Sequence, residues 1–406
     1  MGYAPSNIGR FALKTQGAWG TAETSFAAAN YVEASVMIPT PVQEALRTDA
    51  TRGGYYAQRV VAGSKKDTSF TLSMPLHGFS TATPTGDPSA AHPDALLVAA
   101  ALGAYNIKGF ASSAVTGGTA AAPTVSDSDY DLWVGQAVAV PISGGHSLGW
   151  VKTYTDGGGG DDTLTLLDDL SAAPSGSGNL LGSITCYLTN TINDPLTFDW
   201  VGSDASVHVR FYDCVVTSAK LTLNATEQPT AEFTVQAGGW TNVGSGGAPG
   251  DYAMTDRPQM PALIGANGSR LQVAGTAVNV SSMEIEITND VQAVMSHAGT
   301  EGIAEYVTTN RSIALTATAE ASSLAGIGMM SPGTSIGVIQ FDANTTPGRA
   351  LTMTIPLSQV EELQELGDSN GLVALTTRYA PQVYSADSGV GTLGDAADTA
   401  ARIAFL

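Results

Sequence analysis

Few residues in this 406-residue chain are spaced for chemistry. The five histidines, His77, His92, His146, His208 and His297, are scattered, and none has a partner at metal-ligand spacing. His208 falls on the polar side of the alternating run ASVHVRF (205–211), which places it at the surface or in an interface. Asp161–Asp162 and Asp168–Asp169 are adjacent pairs, and neighbours on a strand point to opposite faces, so they read as turns. The metal candidate is a set of Asp127, Asp129 and Asp131 with Asp156, Asp161 and Asp162 around the run DGGGGDD. Calcium tolerates irregular oxygen-rich loops, but the glycine and closing glutamate of an EF-hand loop are missing, and solvated turns are the alternative. No G-x-S-x-G elbow, P-loop or H-E-x-x-H occurs. The expectation is a protein that is not an enzyme and takes no cofactor.

A second concentration of functional residue types is not catalytic. Residues 41–68 hold Glu44, Arg47, Asp49, Arg52, Tyr55, Tyr56, Arg59, Lys65 and Lys66, so five of the chain's 17 basic residues fall in one short arm. The whole chain carries 37 acidic residues and a net charge of −20. Basic residues gathered in an acidic protein invite an acidic partner, and a second copy of the chain is such a partner. Tyrosine and arginine are also enriched where interfaces concentrate their binding energy. An ordinary solvated hairpin is the alternative.

This arm belongs to an internal echo. VEASVMIPTPVQEALRTDATRGGYYAQRVVAGSKKDTSFTLSM (32–74) is answered by VSSMEIEITNDVQAVMSHAGTEGIAEYVTTNRSIALTATA (280–319). Val42-Gln43 and Val291-Gln292 mark the same step, an offset of 249 (291 − 42). The second copy adds His297, Glu301 and Tyr306 to the candidate subunit or ring contacts. Another match, MPL (74–76) against IPL (355–357), has an offset of 281 (355 − 74) and conflicts with the first.

These residues sit on strands. Runs such as SFTLSMPL (69–76), KLTLNA (220–225), AEFTVQA (231–237), VNVSSMEIEI (278–287) and ALTMTIPL (350–357) alternate apolar with Thr, Ser or charge, as half-buried strands do. Two helices are expected. HPDALLVAAALGA starts with Pro93 and Asp94, closes at Gly103 and is apolar nearly all round, so it should be buried. SQVEELQELGDSNG opens with a capping box, Ser358 and Glu361, and stops at Gly367.

Charged residues are only 13% of the chain, so its polar surface is built mainly from Thr, Ser, Asn and Gly. With 17 basic residues against 37 acidic ones, gripping nucleic acid is not expected, although an acidic wall would let a duplex slide past. Simple solubility is the other reading of the acidity. No run spans a bilayer, and the amino terminus lacks the apolar centre of a signal peptide. Cys186 and Cys214 read as small buried hydrophobes rather than a disulfide.

The fold class is mainly β, with two related β-sandwich or barrel domains, each with a flanking helix, plus a small inserted β-domain. The boundaries are 1–105 with 193–245 for the first, 106–192 for the insert, 246–264 for a linker and 265–385 for the second. The tail 386–406 ends in ARIAFL, which can add an edge strand.

The chain resembles tail tube (major tail) proteins of long-tailed, siphovirus-like bacteriophages. The resemblance rests on GAWGTAE (17–23), the long arm, VVAGSKKDTSFTLSM (60–74), PDALLVAAALGA (93–104), FYDCVVTSAKLTLNATEQPTAEFTVQAGGW (211–240) and VSSMEIEITNDV (280–291). It covers most of the chain outside the insert. It implies subunits that close into rings around a channel and stack into a tube for DNA delivery. Residues 41–68 and 290–310 would bridge subunits or rings. Two tandem domains imply homotrimeric rings with pseudo-sixfold symmetry, and a single domain would imply hexamers. Tape-measure and tail-end proteins are the implied partners, with passing DNA not tightly bound and no membrane. The implied location is the virion, after assembly in the bacterial cytoplasm. A capsid decoration or head-shell protein and a secreted carbohydrate-binding β-sandwich are the competing classes.

Overall fold

The computed structural model describes residues 9–36, 39–52, 55–65, 68–78, 92–107, 113–126, 134–189, 194–202, 207–244, 259–320, 332–362, 365–369, 372–382 and 399–406. The chain is mainly β, as its alternation requires. Its strands form a 12-stranded, a 7-stranded, a 6-stranded and a 2-stranded sheet.

The two halves use one pairing order. In the first, Gly9–Thr15 pairs with Tyr31–Val32 and with Leu196–Gly202, which pairs with His208–Asn224. That long strand pairs with Thr230–Asn242, then come Thr68–Pro75 and Ser35–Val36. In the second half Arg270–Val273 pairs with Thr276–Val278 and with Ile339–Asp342, which pairs with Leu351–Ile355. Ser358–Val360 and Glu365–Ser369 then pair with Leu372–Pro381, followed by Ile303–Glu320 and Val280–Met295. Three short strands thus stand where the first half has one long strand.

Register supports the equivalence. Shifts of 249 on the first strand (285 − 36) and 243 on the second (315 − 72) carry the pair Val36–Leu72 onto Ile285–Leu315. The same two shifts carry Ala45–Ala62 onto Val294–Glu305. The 281-residue match is coincidence: Thr68–Pro75 lies in the 12-stranded sheet and Leu351–Ile355 in the 7-stranded one.

Between the halves the sheet is continuous. His208–Asn224 pairs with Leu196–Gly202 through its first part and with Val280–Met295 through residues 218–224. One core runs beneath, joining Leu13, Phe70, Phe211 and Phe233 to Ile285, Leu315 and Leu351. Phe70 centres it, with the rings of Phe11, Phe198 and Phe211 between 5.2 and 5.7 Å away.

Pro93–Leu102 is an α-helix buried at every position, as expected. His92 caps it, Nδ1 accepting from the Ala95 N–H at 3.0 Å, and Gly103 ends it at φ 119°. The helix expected over 358–367 is absent. Those residues include the strands Ser358–Val360 and the start of Glu365–Ser369, which satisfy the outer edge of Leu372–Pro381. A tertiary edge with unpaired backbone groups outweighs a local capping signal.

The strands between Ser113 and Leu180 build the 6-stranded sheet around Val115, Val138, Val140, Val151 and Leu164. Ile184–Leu188 pairs instead with Gly103–Ile107 and with Arg402–Phe405. The carboxy-terminal strand is therefore interior rather than an edge, lying between Ile184–Leu188 and Leu351–Ile355. Trp150, fully buried, docks the small sheet by donating Nε1–H to Thr352 Oγ1 at 3.1 Å.

Candidate self-assembly interface

The arm starts from a fixed root. Ala45–Arg52 and Tyr55–Ala62 pair only with each other among the described strands. Below them Gly63 N–H donates to Glu44 O at 2.7 Å and Glu44 N–H to Ser64 O at 2.9 Å. Trp240 Nε1–H reaches Val42 O at 2.8 Å, and Lys65 Nζ lies 4.7 Å above the Trp240 ring, a cation–π contact. The root is held while the arm runs off the body.

The arm's own surface is unusual. Leu46 and Val60 are 50% and 60% exposed, and Val61 is also exposed. Arg47 is exposed on the same hairpin. The backbone places Arg52 opposite Tyr55, Thr51 opposite Tyr56 and Thr48 opposite Arg59. Lys66 lies outside the described residues. An aliphatic and basic hairpin with no partner among the described strands is a natural docking element.

The second hairpin is arranged differently. His297 is exposed at its tip, closed by Ser296 N–H to Gly302 O at 2.9 Å. Glu301 is engaged inside the chain, accepting from Lys65 N–H at 2.8 Å and from Tyr212 O–H at 3.3 Å. Burial and the neighbouring Glu301 carboxylate push the Tyr212 hydroxyl well above the usual phenol range. Tyr306 is only 3% exposed and packs on Trp19 of the GAWG loop, ring centroids 6.1 Å apart. Glu301 and Tyr306 therefore seat this hairpin on the first half, and His297 is the member of the trio left outside.

Sequence reasoning missed the link between Trp19, Gly20 and the second hairpin. Asp213, at φ 52°, accepts from Gly20 N–H at 2.7 Å and from Gln16 Nε2–H, fixing that loop. The tryptophan in GAWG was the available sequence signal, and the positive φ of Asp213 is seen only in the structure.

His208 is not a surface residue. It is fully buried with Nε2 2.9 Å from Asp199 Oδ2, and Arg210 donates twice to the same carboxylate at 2.9 Å. Alternation failed because both faces are covered here: the core lies on one side, and Phe26 closes over Arg210 on the other.

Asp156 and Asp162 act as turn caps. Asp162, buried, accepts from Tyr154 O–H at 2.7 Å and Gly157 N–H at 2.9 Å, and Asp156 accepts from Gly158 N–H at 2.7 Å. Asp161 is exposed, and Asp127, Asp129 and Asp131 lie outside the described residues. Among the described residues no three His, Cys, Asp or Glu side chains are placed to hold a metal ion, and no helix is long and apolar enough to cross a membrane. Cys186 and Cys214 are buried free thiols, and burial pushes both well above the ordinary thiol range.

No protein-family model matches the chain, and no curated protein matches it.

Proposed function

We propose that the chain is a structural subunit that closes with copies of itself into rings and stacks them into a tube, as bacteriophage tail tube proteins do. The observation that carries this reading is the repeated half. Each half lays a hairpin and a second pair of antiparallel elements side by side into one sheet, and the halves join edge to edge. A unit that already adds to a copy of itself within one chain is built to add again between chains. Two repeats per chain favour a trimeric ring of six repeats over a hexamer.

The open face of the sheet suits a channel wall. A hydroxyl row crosses five strands, Thr71, Thr234, Ser218, Thr288 and Ser312, each opposite the next. Beside it run Ser73, Glu232, Lys220 and Glu286. Glu284 adds another carboxylate, 2.8 Å from Lys220. Neutral hydroxyls with a net acidic balance, and Lys220 already paired with Glu284, give phosphates little electrostatic attraction, so DNA would pass without sticking. The proposed partners are copies of the chain, a tape-measure protein and tail-end proteins, and the proposed location is the virion.

Electron microscopy of the purified protein, averaged end-on, tests the reading. Hollow rings or tubes with threefold-modulated sixfold density are expected. A chain that stays monomeric over a wide concentration range, with and without other tail proteins, would overturn it.

A further inference from the structure

Resting on that ring reading, we infer that the seam between neighbouring chains repeats the seam inside the chain, with Leu366 of one copy lying opposite Ala34 of the next. Inside the chain, Leu223 stands opposite Met283 where the two halves meet. The strand pairings identify the counterpart of each. Leu76 N–H bonds Pro229 O in the first half, and Ala319 pairs with Leu375 in the second, 243 residues beyond Leu76 (319 − 76). Leu375 therefore corresponds to Pro229. Leu366 pairs with Leu375, so Leu366 corresponds to Leu223, which the register of its own strand sets opposite residue 229. The 249-residue shift that carries Val36 to Ile285 carries Ala34 to Met283.

Exposure separates the two leucines. Leu223 is 2% exposed because the second half covers it, while Leu366 is 64% exposed although its cross-strand partner Leu375 is buried. Leu366 thus lies on the core face of the sheet at its last strand, with no described strand beyond it. Glu365–Ser369 pairs only with Leu372–Pro381, and Ser35–Val36 only with Thr68–Pro75, among the described strands. Both are edges left open after the internal seam is made, as Tyr31–Val32 also is, and these two are related to each other as the edges of that seam are. Ala34 is already half-buried against the core, where a leucine from outside would extend the packing.

The seam is bounded. The outer side of Ser358–Val360 is taken by the chain itself, through Val360 N–H to Thr334 O at 3.0 Å and Ile336 N–H to Ser358 O at 2.9 Å. Pairing between copies therefore starts beyond that point, at Glu365 opposite Ser35, with Leu366 opposite Ala34 and Gly367 opposite Glu33. The interface is heterologous, one edge of each copy on the other edge of the next, which closes a ring when the rotation allows.

The test is disulfide trapping in the assembled full-length protein. Residues opposite each other on antiparallel strands have Cα atoms roughly 4.5–5.5 Å apart, within disulfide reach. Ala34→Cys with Leu366→Cys should give covalent multimers on a non-reducing gel after oxidation, and either single variant should not. Cys186 and Cys214 are buried and supply little background. Assembled rings that yield no multimers would overturn the seam, as would rings trapped better by Val36→Cys with Leu366→Cys. In parallel, Leu366→Asp should abolish ring formation while leaving the unfolding midpoint of the free chain unchanged. Normal rings from that variant would also overturn it. If the unaltered chain never assembles, the ring reading itself fails, and the gel result is not needed to say so.

Discussion

Asp199 and Asp342 lie on corresponding strands of the two halves, yet each takes its arginine from a different neighbouring strand. Asp199 is bound by Arg210, its partner on the following strand of the sheet. Asp342 is bound by Arg270, its partner on the preceding one, at 2.6 Å, and also accepts from Thr352 Oγ1 at 2.7 Å. Both carboxylates are buried. Removing one member strands the other in low dielectric, which costs about 3–5 kcal/mol. Asp199→Ala and Asp342→Ala should each lose that much in urea unfolding of the free chain. A loss below 1 kcal/mol in either would show that water reaches the abandoned arginine.

Arm substitutions should behave in the opposite way. The arm pairs with no other described strand, so replacing Arg47, Arg52 and Arg59 with alanine should leave the unfolding midpoint unchanged. Stacking should fail, with single rings replacing tubes in sedimentation and microscopy. Normal tubes from the triple variant would remove the arm from the assembly.

The contrast between these two sets of residues shows what was legible in the chain. The helix from Pro93 and the half-buried strands were readable because each buries one face or caps itself locally. The repeat was readable through Val42 and Val291, since register in a long hairpin keeps spacing intact. Ser358 to Gly367 misled because Ser, Glu and two leucines at helical spacing say nothing about an open strand edge nearby. His208 misled because alternation assumes one wet face, and its strand is covered on both. Tyr306 and Glu301 were expected as subunit contacts and instead seat the hairpin on its own chain, because which chain a hairpin seats on is a tertiary fact.

The insert should be separable. Ile107 and Ile184 stand opposite each other on antiparallel strands, so residues 108–183 leave and rejoin the body at one point. Replacing them by Asn-Gly should make a tight hairpin and leave a folded body. The small sheet covers Leu406 together with Ala350 and Ala404. Uncovering that patch should lower stability by roughly 2–3 kcal/mol, visible as a lower melting temperature. Rings should still form, because neither the arm nor the edges at Ser35 and Leu366 lie in the deleted part. An insoluble product would instead make the insert part of the folding core.

The last prediction concerns pH. Burial holds the Asp213 carboxyl above the ordinary carboxylate range, although hydrogen bonds from Gly20 and Gln16 pull it down. A raised value in the folded state means that folding favours the protonated form. Its stabilising contribution is present below the unfolded value of about 4 and is lost as pH rises through the folded value. At neutral pH the ionised side chain is therefore a cost. Asp213→Asn keeps the Oδ1 that accepts from Gly20 and Gln16, and asparagine tolerates the φ of 52°. The variant should be more stable than the parent at pH 7, and the difference should close as pH falls toward 4. A variant less stable by the same amount at every pH would mean that the charge on Asp213, rather than its shape, holds the Trp19 loop against the second hairpin.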